Sequence, residues 1–163
     1  MLGVNILMIF VTLGTQDKPY TRILDYLENS NIEDEIVVQA GFTDYDSKKM
    51  KIFKYLDKNE FDEYLKKADY IICHAGVGTI VNALKMNKKI LAVPRLAKYG
   101  EHHNDHQLQI ADAYYKKGYI LVLNENENID NKFEELKEFV PNRFVSNNET
   151  FVNRLKDYIM LER

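Results

Sequence analysis

Two kinds of apolar pattern alternate along this chain. Short aliphatic runs at residues 6–13, 36–39, 51–55, 70–73, 89–93 and 120–123 have the length of strands, and the first is continuous rather than alternating, as in a strand buried on both faces. Between them, apolar residues recur at helical spacing: Ile23, Leu24 and Leu27; Phe61, Tyr64 and Leu65; Ile80, Val81, Leu84 and Met86; Leu108, Ala111 and Tyr115. Asn59 is the expected cap of the second of these helices. Asn104 or Asp105 is that of the fourth, which Gly118 ends. The alternation predicts β-α-β units on a mostly parallel sheet with helices on both faces, a Rossmann-like α/β fold. Right-handed crossovers in such a sheet put ligands at the carboxyl ends of the strands, where Gly14 and Gly76 both fall. Residues 124–130 read as a solvated acidic turn. A wide stripe of Phe151, Val152, Leu155, Tyr158, Ile159 and Leu161 predicts a last helix over residues 148–161, which either covers the chain's own core or docks partly on another chain.

The stretch at residues 68–95 organises the rest. Its strand ends at His74, and Ala75, Gly76, Val77, Gly78 and Thr79 then open a helix. Backbone N–H groups in a first helical turn lack internal partners and carry the positive end of the dipole, and glycines let a ligand come close. This predicts an anion site, with a bare tight turn as the alternative. A dinucleotide fingerprint would need a third glycine near Val81 and an acidic residue about twenty positions on, and a triphosphatase loop would need a lysine before Thr79. Neither is present, so no nicotinamide or flavin cofactor and no ATPase activity is expected.

With 163 residues the chain fits one domain, residues 1–163. A net charge of -3 without a dense basic run leaves no reason to expect nucleic acid as a partner. Cys73, the single cysteine, allows no disulfide framework and suits a reducing cytoplasm. Residues 1–10 are apolar but lack a basic flank, and Gly14 and Gln16 interrupt them well short of the ~20 residues of a membrane span.

The loop after the fifth strand, LAKYGEHHNDH, is polar and holds three of the four histidines. His102 and His106 stand four apart, a zinc-binding spacing when both lie on one helical face. The helix, however, is expected to start only at about Asp105, and no matching His/Cys pair occurs elsewhere, so no metal is assigned. A hydrated, inactive loop is one alternative. Recognition of a sugar by the neutral donors and acceptors of Asn104, His106 and Gln107 is the other.

Three motifs, GTQDKPYTRIL, HAGVGTIVNAL and VPRLAKYGEHHNDHQLQIA, together resemble the glycosyltransferase family 28 C-terminal domain, the nucleotide-sugar half of a GT-B enzyme. They are similar in particular to small exopolysaccharide glycosyltransferase subunits of the PssE and EpsF kind, and to the soluble catalytic subunit of the two-part enzyme that adds the second N-acetylglucosamine in N-glycan assembly. The resemblance implies a donor-binding subunit of an inverting enzyme that transfers a sugar from a UDP-sugar to a lipid-linked acceptor in polysaccharide biosynthesis. It implies a separate membrane-associated subunit that holds the acceptor and recruits this cytoplasmic chain to the membrane's inner face. Carried over by residue, it puts Gly14 and Thr15 in the first loop and Gly76, Val77, Gly78 and Thr79 at the diphosphate. Asn82 then lies at the ribose, and Asn104, Asp105, His106 and Gln107 by the donor sugar.

The chain departs from its relatives in two places. Gln16 and Asp17 stand where a His-Glu pair is common, and an amide has no useful pKa for base catalysis. Asn82 stands where a glutamate commonly binds ribose, which removes the charge-assisted part of that contact. The catalytic base is then either His74 or a residue of the partner. A non-catalytic nucleotide-binding module that enhances a partner transferase is the second function class.

Overall fold

Six parallel strands form one sheet: β1 (Met8–Thr12), β2 (Glu35–Gln39), β3 (Lys51–Phe53), β4 (Tyr70–Cys73), β5 (Lys89–Ala92) and β6 (Leu121–Val122). The computed structural model describes residue 3, residues 5–145 and residues 153, 154, 156, 157 and 160. The strand order is β3-β2-β1-β4-β5-β6. The chain winds outward from β1 to β3, then crosses back and winds the other way from β4. The order therefore reverses between β1 and β4, which pair with Thr12 opposite Cys73. Loops leaving two such strands diverge to opposite faces and open a crevice at the carboxyl edge.

Among the described residues, the sheet is covered by α1 (Thr21–Glu28), α2 (Lys58–Lys67), α3 (Val77–Lys85), α4 (His106–Lys116) and α5 (Ile129–Glu138). Side chains alternate across each strand, so β1 sends Ile9 and Val11 to one face and Phe10 to the other, all three fully buried. Ile9 and Val11 join Ile23, Leu24 and Leu27 of α1 and Phe133 and Leu136 of α5. Phe10 joins Leu65 of α2, Ile80 and Leu84 of α3, and Ile110 and Tyr114 of α4. Burying each large apolar side chain contributes about 1.5–3 kcal/mol before chain entropy is counted, and the continuous aliphatic strands follow from having two faces to cover.

Three details differ from the pattern read along the sequence. The cap of α2 is Asp57, not Asn59: Asp57 Oδ1 accepts from the Glu60 N–H at 2.9 Å and the Glu60 carboxylate accepts from the Asp57 N–H at 3.0 Å, a reciprocal pair that satisfies two free donors at once. The buried face of α4 is Gln107, Ile110, Ala111 and Tyr114, while Leu108 and Tyr115 are exposed. A buried glutamine stands at the apolar spacing there and hid the register. Part of the stretch read as an acidic turn belongs to α5, whose Ile129, Phe133 and Leu136 recur at helical spacing behind an Asn128 cap. The helix expected at residues 148–161 lies for the most part outside the described residues.

Asp57→Ala is expected to lower stability by about 1 kcal/mol, the usual cost of losing an N-cap, and Asn59→Ala to change it little. Urea unfolding of both variants checks this. A loss at Asn59 with none at Asp57 would move the cap back to the position read from sequence.

Candidate functional site

At the carboxyl end of β4 the chain turns sharply into α3. Ala75 takes a left-handed conformation with φ of 66°, rare for a residue with a side chain and costing on the order of 1 kcal/mol. Gly76 follows as N-cap with no side-chain cap, and no acidic residue lies in the first turn of α3. The first intrahelical bond runs from the Ile80 N–H to the Gly76 carbonyl at 3.0 Å. The N–H groups of Val77, Gly78 and Thr79 therefore precede the hydrogen-bonded helix, at its positive end. Gly78 is exposed, and a Cβ placed on it would meet no atom within 4 Å. The helix start is thus open to a ligand.

His74 is wedged behind this turn. Its Nδ1 lies 3.1 Å from the Thr12 carbonyl of β1, so that nitrogen carries the proton and donates, leaving Nε2 with its lone pair. A Cβ on Gly14 would fall 2.5 Å from Nε2, and one on Gly76 2.4 Å from it. Both glycines are therefore required by the imidazole ring, which occupies the space their side chains would need. Burial pushes the His74 pKa down to about 4, with the Arg95 charge adding to the shift, and the ring is neutral at neutral pH.

The loop after β5 is held by buried polar groups. The Arg95 side chain, 1% exposed, donates through Nη2 to the Leu13 carbonyl at 2.7 Å and through Nη1 to the carbonyls of Lys18 at 2.8 Å and Glu101 at 2.9 Å. It also lies 4.8 Å from the centre of the buried Tyr20 ring, whose hydroxyl donates to the Val93 carbonyl. The Glu101 carboxylate accepts two bonds from Arg22, each at 2.8 Å, and a third from the Leu96 N–H. The loop leaving β1 is thereby tied to the loop leaving β5.

The site residues expected from sequence fall into two groups. Gly14, His74, Gly76, Val77, Gly78 and Thr79 converge at the β1/β4 crevice, with Thr15 exposed beside them. Asn82 lies further along α3, exposed, in a groove it shares with Lys58, Asp62 and Lys66 of α2. Gln107 does not point out of its loop: it is 7% exposed and its Oε1 accepts from the Arg95 N–H at 3.0 Å. Asn104 Oδ1 accepts from the His106 N–H and Asp105 Oδ1 from the Ala97 N–H, so both side chains shape the loop itself. Glu101 and Asp105 are engaged in this way, and among the described residues no group of three or more His, Cys, Asp or Glu is arranged to hold a metal ion. Sequence reading did not single out Arg95, Tyr20 or Arg22. It also passed over Phe42 and Tyr55, two exposed rings 6.1 Å apart just past the carboxyl ends of β2 and β3.

Fold and site together define a class, an all-parallel, doubly wound domain with an open, uncapped strand–turn–helix at its switch point. The family model of the glycosyltransferase family 28 C-terminal domain matches residues 8–160, and the chain belongs to that family. Over 140 residues it is 29% identical to the UDP-N-acetylglucosamine–N-acetylmuramyl-(pentapeptide) pyrophosphoryl-undecaprenol N-acetylglucosamine transferase of Clostridium botulinum, covering 83% of this chain and 34% of that one. Over 87 residues it is 33% identical to the UDP-N-acetylglucosamine transferase subunit ALG13 of Cryptococcus neoformans, covering 52% of this chain and 41% of that one. The chain thus spans about a third to two fifths of the length of these relatives. Among solved structures, the calicheamicin glycosyltransferase CalG4 superposes with a TM-score of 0.63 at 16% identity, over 95% of this chain and 38% of the other. The solution structure of ALG13 superposes with a TM-score of 0.60 at 19% identity, over 92% and 95%. The fold is that of one Rossmann-like half of a GT-B glycosyltransferase, as the three motifs led one to expect.

The half-buried His74 ring, wedged between the two glycine loops, makes stability depend on pH. Its folded pKa of about 4 lies below the unfolded value of 6.5, so between the two the unfolded chain binds the extra proton. Its contribution is complete above about pH 6.5 and is lost as pH falls toward 4, by about 3 kcal/mol. Urea unfolding of the parent and of His74→Gln between pH 7 and 4 should show their difference shrinking in that window. A constant difference would mean that the ring does not titrate as a desolvated neutral group.

Proposed function

We propose that this chain is the donor-binding part of an inverting glycosyltransferase that takes a UDP-sugar and acts with a membrane-associated partner on a lipid-linked acceptor. The observation that carries this reading is the uncapped start of α3 beside an unobstructed Gly78, a place for a diphosphate to meet free N–H groups. From there β1 and β2 lead toward the Phe42 and Tyr55 rings past the ends of β2 and β3, two to three strand spacings or about 10–14 Å along the sheet edge, a reach that suits a nucleoside lying there. The relatives' names support UDP-N-acetylglucosamine as the donor; one names a pyrophosphoryl-undecaprenol acceptor and the other a transferase subunit. Exopolysaccharide as the product, which the resemblance alone suggested, has no counterpart in those names.

In this reading a hydroxyl of the acceptor attacks the anomeric carbon from the face opposite the diphosphate. The new glycosidic C–O bond forms, the bond to the β-phosphate oxygen breaks, and UDP leaves with that electron pair while a base takes the hydroxyl proton. The α3 N–H groups stabilise the charge that grows on the departing diphosphate. The free Nε2 of His74 is packed against Gly14 and Gly76, so in this reading the proton goes to a group on the acceptor-binding partner. His74 serves the donor instead, its ring fixing where the two glycine loops stand. Among the described residues no helix is long and apolar enough to cross a membrane, and the partner brings the chain to the membrane's cytoplasmic face.

Gly78→Val should fold like the parent, because nothing obstructs a side chain there, and should lose at least about tenfold in UDP affinity by calorimetric titration, as expected when about 1.4 kcal/mol of diphosphate contact is blocked. Unchanged affinity in a folded variant would place the nucleotide elsewhere. Sugar transfer that requires both this chain and the partner, and is lost with Gly78→Val, distinguishes a catalytic donor subunit from a non-catalytic nucleotide-binding module.

A further inference from the structure

Three arginine and carboxylate groups lie behind the crevice, and their charges do not cancel. Glu101 is paired with Arg22 through both carboxylate oxygens. Arg95 is held by main-chain carbonyls alone, its Nε is buried without a hydrogen-bond partner, and it faces the ring of Tyr20, whose phenol burial keeps protonated. The cluster therefore carries one net positive charge inside the protein. Burying such a charge is costly, of the order of several kcal/mol, and carbonyl dipoles offset only part of that. As a brace between loops, a neutral donor would serve at lower cost.

Its position gives the charge a use. The Leu13 carbonyl, which Arg95 holds at 2.7 Å, immediately precedes Gly14, and Gly14 abuts Nε2 of His74. The guanidinium is thus one residue behind the wall of the anion site, screened from water, where its field reaches a ligand with little attenuation. We propose that Arg95 is a positioning and selectivity residue: without touching the ligand, its buried charge favours the diphosphate of a UDP-sugar over uncharged ligands, a role that rests on the donor-binding reading above. The charge also reaches His74, where it opposes protonation of the ring.

The test compares UDP with uridine on the full chain and two variants, Arg95→Met and Arg95→Lys. Arg95→Met should weaken UDP about tenfold while changing uridine less than about twofold, since only the charged ligand senses the lost cation. Arg95→Lys should recover most of the UDP preference, because it restores charge without the three-carbonyl brace. In the ligand-free protein, the His74 pKa followed by NMR should rise in Arg95→Met and return in Arg95→Lys. Equal losses for UDP and uridine in folded Arg95→Met, or an Arg95→Lys that has lost the preference, would make Arg95 a structural brace and overturn the proposal. If Arg95→Met does not fold, the UDP-to-uridine ratio of Arg95→Lys decides alone. A parent that fails to bind UDP removes the donor reading and this role together. A parent that binds UDP no better than folded Arg95→Met removes only this role.

Discussion

The imidazole of His74 is the wedge on which the β1/β4 crevice closes. One ring nitrogen is tied to the β1 carbonyl of Thr12, and the other edge fills the space where Gly14 and Gly76 would have carried side chains. The two loops leaving the switch point are thus packed against one ring, and their separation is fixed by its thickness. Close packing of this kind leaves no tolerance for a single methyl group. It also explains why the turn runs through a left-handed Ala75: the chain must pass around the ring and still present the start of α3 to solvent.

Around this wedge the molecule divides its polar groups by task. Behind it, Tyr20, Arg95, Glu101 and Gln107 are buried, Arg22 is half-buried, and all five are bonded mostly to one another and to main-chain groups. They lock the loops after β1 and β5 together, which matters because loops otherwise carry few fixed contacts. In front, Thr15, Gly78 and Asn82 are exposed, and the first N–H groups of α3 precede its hydrogen-bonded turns. A rigid back and an open front suit an electrostatic site whose donors must be aimed before the ligand arrives.

CalG4, which shares the fold, is more than twice as long, and this chain corresponds to 38% of it. In the donor-binding reading proposed above, the acceptor and its catalytic base approach the crevice from its open side.

The strands, the parallel fold and the glycine turn were legible in sequence because each has a local cause. Aliphatic runs of strand length report burial on both faces, and a strand ending in HAGVGT reports a helix that starts on glycines. The cap of α2 lies two residues before the position read from sequence because Asp57 and Asn59 are both good caps, and the reciprocal bonds between Asp57 and Glu60 distinguish them. The register of α4 and the role of Gln107 were not legible, since an amide at a buried position is favourable only when a tertiary partner, here the Arg95 N–H, stands opposite. Arg95 itself reads in sequence as an ordinary surface cation after a proline. That it lies buried on the carbonyls of Leu13, Lys18 and Glu101 follows from the crossing of two distant loops, a long-range arrangement that no local pattern encodes.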